Sequence, residues 1–134
     1  MRAIAAGWIA GLALLAGPCF AQDEQYISAR QVLDYLHSQD EAQHKVAEAT
    51  IVITWQAFLT TQAALIAKKS DLVFCPAPGA EITDRELSDG LERMISENSQ
   101  LADLPASTAM LVYLAKQYPC TADAQQKLQG AAAH

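Results

Sequence analysis

The stretch DLVFCPAPGAEITDREL, residues 71–87, decides how the chain folds. It ends an apolar run in Cys75, passes through two prolines and a glycine, and opens on Thr83-Asp84-Arg85-Glu86. Pro76 and Pro78 lack amide donors and push their preceding residues out of the helical region, so "CPAPGAEI" must be a loop. Thr83 with Glu86 three residues later is a capping box, and Leu87, Leu91, Met94 and Ile95 follow at helical spacing. This helix ends at Asn98 and Ser99.

A second cysteine, Cys120, closes LAKQYPC. The preceding helix spans roughly Pro105 to Gln117, with Pro105 suited to a first-turn position and Pro119 as its stop. Ala109, Val112, Tyr113 and Lys116 lie on one side of it, and Met110, Leu111 and Leu114 on the other. Cys75 and Cys120 thus flank a pair of helices that return their ends to one place.

The chain opens MRAIAAGWIAGLALLAGPCFAQ. One Arg, an apolar run from Ala3 to Ala16, a Gly-Pro break and the small-residue pattern ending at Ala21 read as a secretory signal cut between Ala21 and Gln22. An N-terminal anchor would need about 20 apolar residues. Lipidation at Cys19 would want a small residue where Pro18 stands. The expected organisation is a signal peptide over 1–21, a helical domain over 22–120, and a polar, frayed tail over 121–134.

The exported portion holds 8 basic and 15 acidic residues, a net charge of −7, since the signal removes only Arg2. That balance argues against nucleic acid and anionic membrane surfaces, which attract cations, and is compatible with a basic protein partner. With Cys19 removed, Cys75 and Cys120 remain, an even pair in an oxidising compartment. A disulfide is the expected state, with free buried thiols or a metal site as alternatives. His37, His44 and His134 form no ligand pattern beside the cysteines, and no cofactor is expected.

Upstream, Ser28 and Gln31 form a capping box before Val32, Leu33 and Leu36. A long helix runs from about Asp40 to Ala67, with acidic residues at its N-terminal end and Lys68 and Lys69 at the other, each matching the helix dipole. From Ala49 to Ala67 it carries no charge. It is long enough to span a membrane, but its threonines and glutamines weaken that reading, so the simpler expectation is the central helix of a bundle. A row of mostly small residues, Val46, Ala49, Ile53, Ala57, Thr60 and Ala64, admits close approach by another helix. Ile51, Trp55, Leu59 and Ile66 form the other side. Two faces are therefore available for burial, either both within one core or one of them against a second subunit. The fold class is all-α, a small bundle of about four helices with one disulfide.

Little in the chain speaks for catalysis. Glu81, Asp84 and Glu86 stand near a helix start, where carboxylates serve capping and the dipole. His37 and His44 have no nucleophile placed beside them, CPAPG is not a CxxC, and there is no phosphate-binding glycine loop. A binding protein fits better than an enzyme.

The span from Phe74 to Cys120 resembles the Rap/Tai family of type VI secretion immunity proteins. The matching residues are the Phe74-Cys75 turn, Thr83 and Leu87, then Leu101, Pro105 and Ala106, and finally Leu111, Leu114 and Tyr118-Pro119-Cys120. A second cysteine pair carried by many relatives is absent, with Leu36 and Ala47 at the corresponding positions. The resemblance implies an all-helical periplasmic protein, often a homodimer, that blocks a peptidoglycan amidase effector delivered by sister cells. Pro76, Pro78, Gly79 and Glu81 are candidate contacts for that partner. Two rival readings share the export signal and size: a small periplasmic helical chaperone or stress protein, and a non-enzymatic adaptor of the same fold.

Overall fold

The computed structural model describes residues 26–131. Five α-helices lie within them: α1 (Ala29–Leu36), α2 (Glu41–Ala67), α3 (Asp84–Glu97), α4 (Ala106–Gln117) and α5 (Ala122–Ala131). A 3-10 turn, Ser99–Asp103, joins α3 to α4. The signal segment and its cleavage residues Ala21 and Gln22 lie outside the described residues.

Each of the first three helices starts on a side-chain cap. Ser28 accepts from the Gln31 amide, Asp40 from the Ala42 amide and Thr83 from the Glu86 amide. Such caps contribute about 1 kcal/mol each by satisfying amides that have no partner within the helix. The reciprocal half of each capping box is used elsewhere. Gln31 donates to the Tyr35 hydroxyl, and Glu86 accepts from Tyr118.

The core is a small-residue and aliphatic cluster drawn from α1 to α4. Ala29 and Val32 of α1, Ala47 and Ile51 of α2, and Leu87, Leu91 and Met94 of α3 meet Met110, Tyr113 and Leu114 of α4. Fully burying one such large side chain contributes roughly 1.5–3 kcal/mol. A two-residue bridge ties the chain entrance to the start of α4. The Ala29 amide donates to the Leu104 carbonyl and the Ala106 amide to the Ile27 carbonyl, both at 2.9 Å.

Four sequence expectations are corrected. Only Ala47, Ile51 and Gln62 of the 27 residues of α2 are buried, so it lies along one side of the bundle and is not its central helix. In α4 the inward stripe is Ala106, Ala109, Met110, Tyr113 and Leu114, and Val112 faces out. Those five positions follow the i, i+3, i+4 pattern, and a division into two sides cut across it. Pro105 precedes α4 as its N-cap, held at ψ 136° by the bridge to Ile27, instead of occupying the first turn. Finally, residues 122–131 form α5 where a frayed tail was expected, while 132–134 lie outside the described residues. Glutamines of α5 hold it in place: Gln125 accepts from the Leu72 amide and donates to Asp71, and Gln129 donates to the Ser70 carbonyl.

Candidate protein-docking surface

Cys75 and Cys120 form a disulfide, with S–S 2.10 Å and Cα atoms 4.9 Å apart. Beside the bridge, the Cys75 amide donates to the carbonyl of Tyr118, two residues before Cys120, at 2.8 Å. The covalent and hydrogen-bonded ties together fasten the end of α4 to the chain entering α3. Closing 45 residues into a ring restricts the unfolded chain by roughly 4 kcal/mol on the loop-entropy estimate.

Phe74 anchors this junction from the other side. It is 2% exposed and packs against Trp55 at 6.0 Å and edge-on against Phe58 at 6.4 Å between ring centroids. Gln62, the buried polar residue of α2, supports the same segment. Its Nε2 donates to the Phe74 carbonyl at 2.6 Å, and its Oε1 accepts from the Val73 amide at 3.3 Å. A stretch with no helical partner for its backbone is thereby satisfied without water. Gln62 was not singled out from the sequence. Its signal was its spacing: residues 55, 59, 62 and 66 share one helix face, and a lone amide among Trp55, Leu59 and Ile66 needs a partner.

From this anchor the loop 76–82 projects. The Ala80 amide donates to the Ala77 carbonyl at 2.9 Å, and Gly79 has φ +80°, giving a type II turn with Pro78 and Gly79 at its centre. Pro78, Gly79 and Glu81 are exposed, and Pro76 is half-buried. Pro76, Ala80 and Ile82 line a mostly apolar cleft of about 220 Å³ with Trp55, Leu59 and Ile66 of α2. Leu128 of α5 closes its edge, a contribution hidden while the tail was expected to fray. The four predicted contact residues thus fall on one rigid loop, but only Pro76 reaches the cleft.

On the opposite side of the junction, Tyr118 donates its hydroxyl to Glu86. Burial, then this hydrogen bond to Glu86, pushes the Tyr118 phenol up to about 12. Burial also raises Tyr113, with Glu86 adding to the effect. Glu86 is therefore engaged as an acceptor. Asp84 stands in the first turn of α3, and Glu81 lies on the exposed loop. The histidines lie apart from each other's partners, His37 near Glu92 at 3.7 Å and His44 near Glu48 at 3.6 Å, all at the surface.

What the arrangement offers chemically is a preorganised recognition surface. A loop whose backbone is fixed at both ends loses little conformational entropy when it meets a partner. No family model, curated protein or solved structure matches the chain.

Proposed function

We propose that this chain is a periplasmic immunity protein that binds a type VI secretion peptidoglycan amidase and occludes its active site. The observation that carries the reading is the Phe74–Cys75 to Tyr118–Cys120 junction. The residues on which the family resemblance rests most heavily meet in one anchor, with a rigid exposed loop on its far side. The acidic balance of the chain suits encounter with a basic effector, because opposite net charges raise association rates. Export places it where such an effector would arrive.

The test is recovery of an amidase from periplasm with the tagged chain, joined to survival of cells lacking the protein when they meet effector-delivering siblings. Sensitivity of those cells and co-purification of the amidase are expected. Unchanged survival with no amidase recovered would remove the reading.

A second reading, a small periplasmic helical chaperone, is favoured by the uncovered apolar surface of α2, where Ile53 is 66% and Leu59 47% exposed. It predicts suppression of client aggregation at low pH, which an immunity protein would not show.

A further inference from the structure

The seam between α3 and α4 contains a buried polar side chain that the fold leaves without an internal partner. Tyr113 is 4% exposed, yet its hydroxyl makes no hydrogen bond among the described residues. A buried tyrosine ordinarily satisfies that group, as Tyr118 does through Glu86. Among the described residues no side-chain oxygen or nitrogen is both sealed from solvent and unpartnered, so the Tyr113 hydroxyl must meet open space. That space is a cavity of about 190 Å³ between the two helices. The hydroxyl-bearing end of the ring passes over α3 at Gly90, where no side chain blocks the way.

The charges around the cavity favour an anion. Arg93 of α3 lines it, enters no ion pair among the described residues, and presents a planar fork of donors. Lys116 of α4 lines it too, and its bond to Glu97 at 3.1 Å leaves two of its three protons to donate. Two cations against the one carboxylate of Glu97 give the lining a net charge of +1 in an acidic chain. The other carboxylates that act on the phenol are already engaged, Glu86 by Tyr118 and Asp89 by Arg85 at 3.7 Å. Burial, with Glu86 adding to it, raises the phenol above its ordinary value, so it keeps its proton and can donate.

We propose that this cavity binds a singly charged carboxylate, borne by a small acid or by the C-terminal residue of a peptide. The Arg93 fork matches the two carboxylate oxygens, and the Tyr113 hydroxyl and Lys116 supply further donors. A lining charge of +1 balances a monoanion and leaves a dianionic phosphate half compensated. Met94 and the Tyr113 ring offer apolar wall to the stem of the ligand. None of these residues lines the cleft beside loop 76–82, so the inference stands apart from the amidase reading.

Amide and side-chain NMR shifts of the disulfide-intact protein, titrated with acetate, N-acetylalanine and N-acetylalaninamide, test it. Saturable shifts at Gly90 and Gln117 are expected with the two acids and not with the amide. Tighter binding of N-acetylalanine than of acetate would identify a peptide end as the source, and equal binding a small acid. Tyr113→Phe and, separately, Arg93→Gln should each weaken binding at least about tenfold, with Tm unchanged because neither removes an internal bond. Glu97→Gln should tighten it. Absence of shifts with both acids, an equal response to the amide, or undiminished binding by Tyr113→Phe would overturn the proposal. So would inorganic phosphate displacing N-acetylalanine at a lower concentration than acetate does.

Discussion

Gly90 of α3 lies directly beneath the ring of Tyr113 in α4. A β-carbon built on Gly90 would stand 2.2 Å from the Tyr113 Cζ, well inside contact distance. The ring is 4% exposed, so it must shift within the packed α3–α4 seam to admit the added carbon. Gly90→Ala gains about 1 kcal/mol of helix propensity. It loses more to overpacking, which typically costs 1–3 kcal/mol. A net loss of up to about 2 kcal/mol should lower Tm by up to roughly 15 °C. Combining it with Tyr113→Leu should cost less than the two changes added, because the second removes the clash. Thermal melts of the four proteins of that cycle test the point.

The Cys75–Cys120 tie should dominate resistance to denaturant. Reduction, or Cys75→Ser with Cys120→Ser, is expected to cost about 2–4 kcal/mol. The urea midpoint measured with and without a reductant checks this. A midpoint indifferent to reductant would mean that the Cys75–Tyr118 backbone bond and Phe74 hold the junction alone.

Gln62→Leu keeps the volume of the side chain and strands the Phe74 carbonyl and the Val73 amide. The buried Phe74 carbonyl left without its partner costs about 1–3 kcal/mol, and the part-buried Val73 amide less. Equilibrium unfolding should show the loss, and hydrogen exchange at Val73 should accelerate. Gln62→Glu should also weaken the site, because it removes the donor to Phe74 while keeping the acceptor for Val73.

Lys69 follows the end of α2 at φ +52°, in the left-handed region. The Ser70 amide donates to the Leu65 carbonyl and the Lys69 amide to Ile66, closing a Schellman motif around it. Glycine occupies that conformation without a β-carbon penalty, so Lys69→Gly should raise stability by up to about 1 kcal/mol. A shift of the urea midpoint upward, with an unchanged slope, is the expected result.

Stability should fall in alkali. Tyr113 and Tyr118 both have folded-state values above the ordinary 10, so the folded protein retains phenolic protons that the unfolded chain gives up. Their contribution is fully present below pH 10 and is lost as pH rises towards about 12, the value for Tyr118. Tyr118→Phe should flatten part of that decline, as followed by denaturant midpoints across the alkaline range.

The helix starts were legible because capping is local: Ser28, Asp40 and Thr83 each announce themselves within three residues. The disulfide was legible because the expected signal cut leaves two cysteines, and two have one pairing. What stayed hidden depends on distant partners. Gln62 reads as a polar blemish on α2 until Phe74 is brought beneath it, and Glu86 reads as half a capping box until Tyr118 arrives from α4. The helix α5 was missed because glutamine and alanine show no apolar stripe, and its anchorage consists of side-chain hydrogen bonds to Ser70, Asp71 and Leu72. The loop 76–82 was legible as a rigid turn. The cleft beside it was not, since Leu128 lies more than forty residues beyond the loop.

The sulfur bridge also governs how the molecule bears load. Force applied between the segments flanking the domain runs along α2 to residue 75, crosses to residue 120 and leaves through α5. The intervening hairpin of α3 and α4 is bypassed, which removes about 150 Å of extensible contour. Pulled at both ends, the oxidised protein should surrender α1, α2 and α5 while the hairpin stays slack. A reductant should lengthen the final extension by that hidden amount.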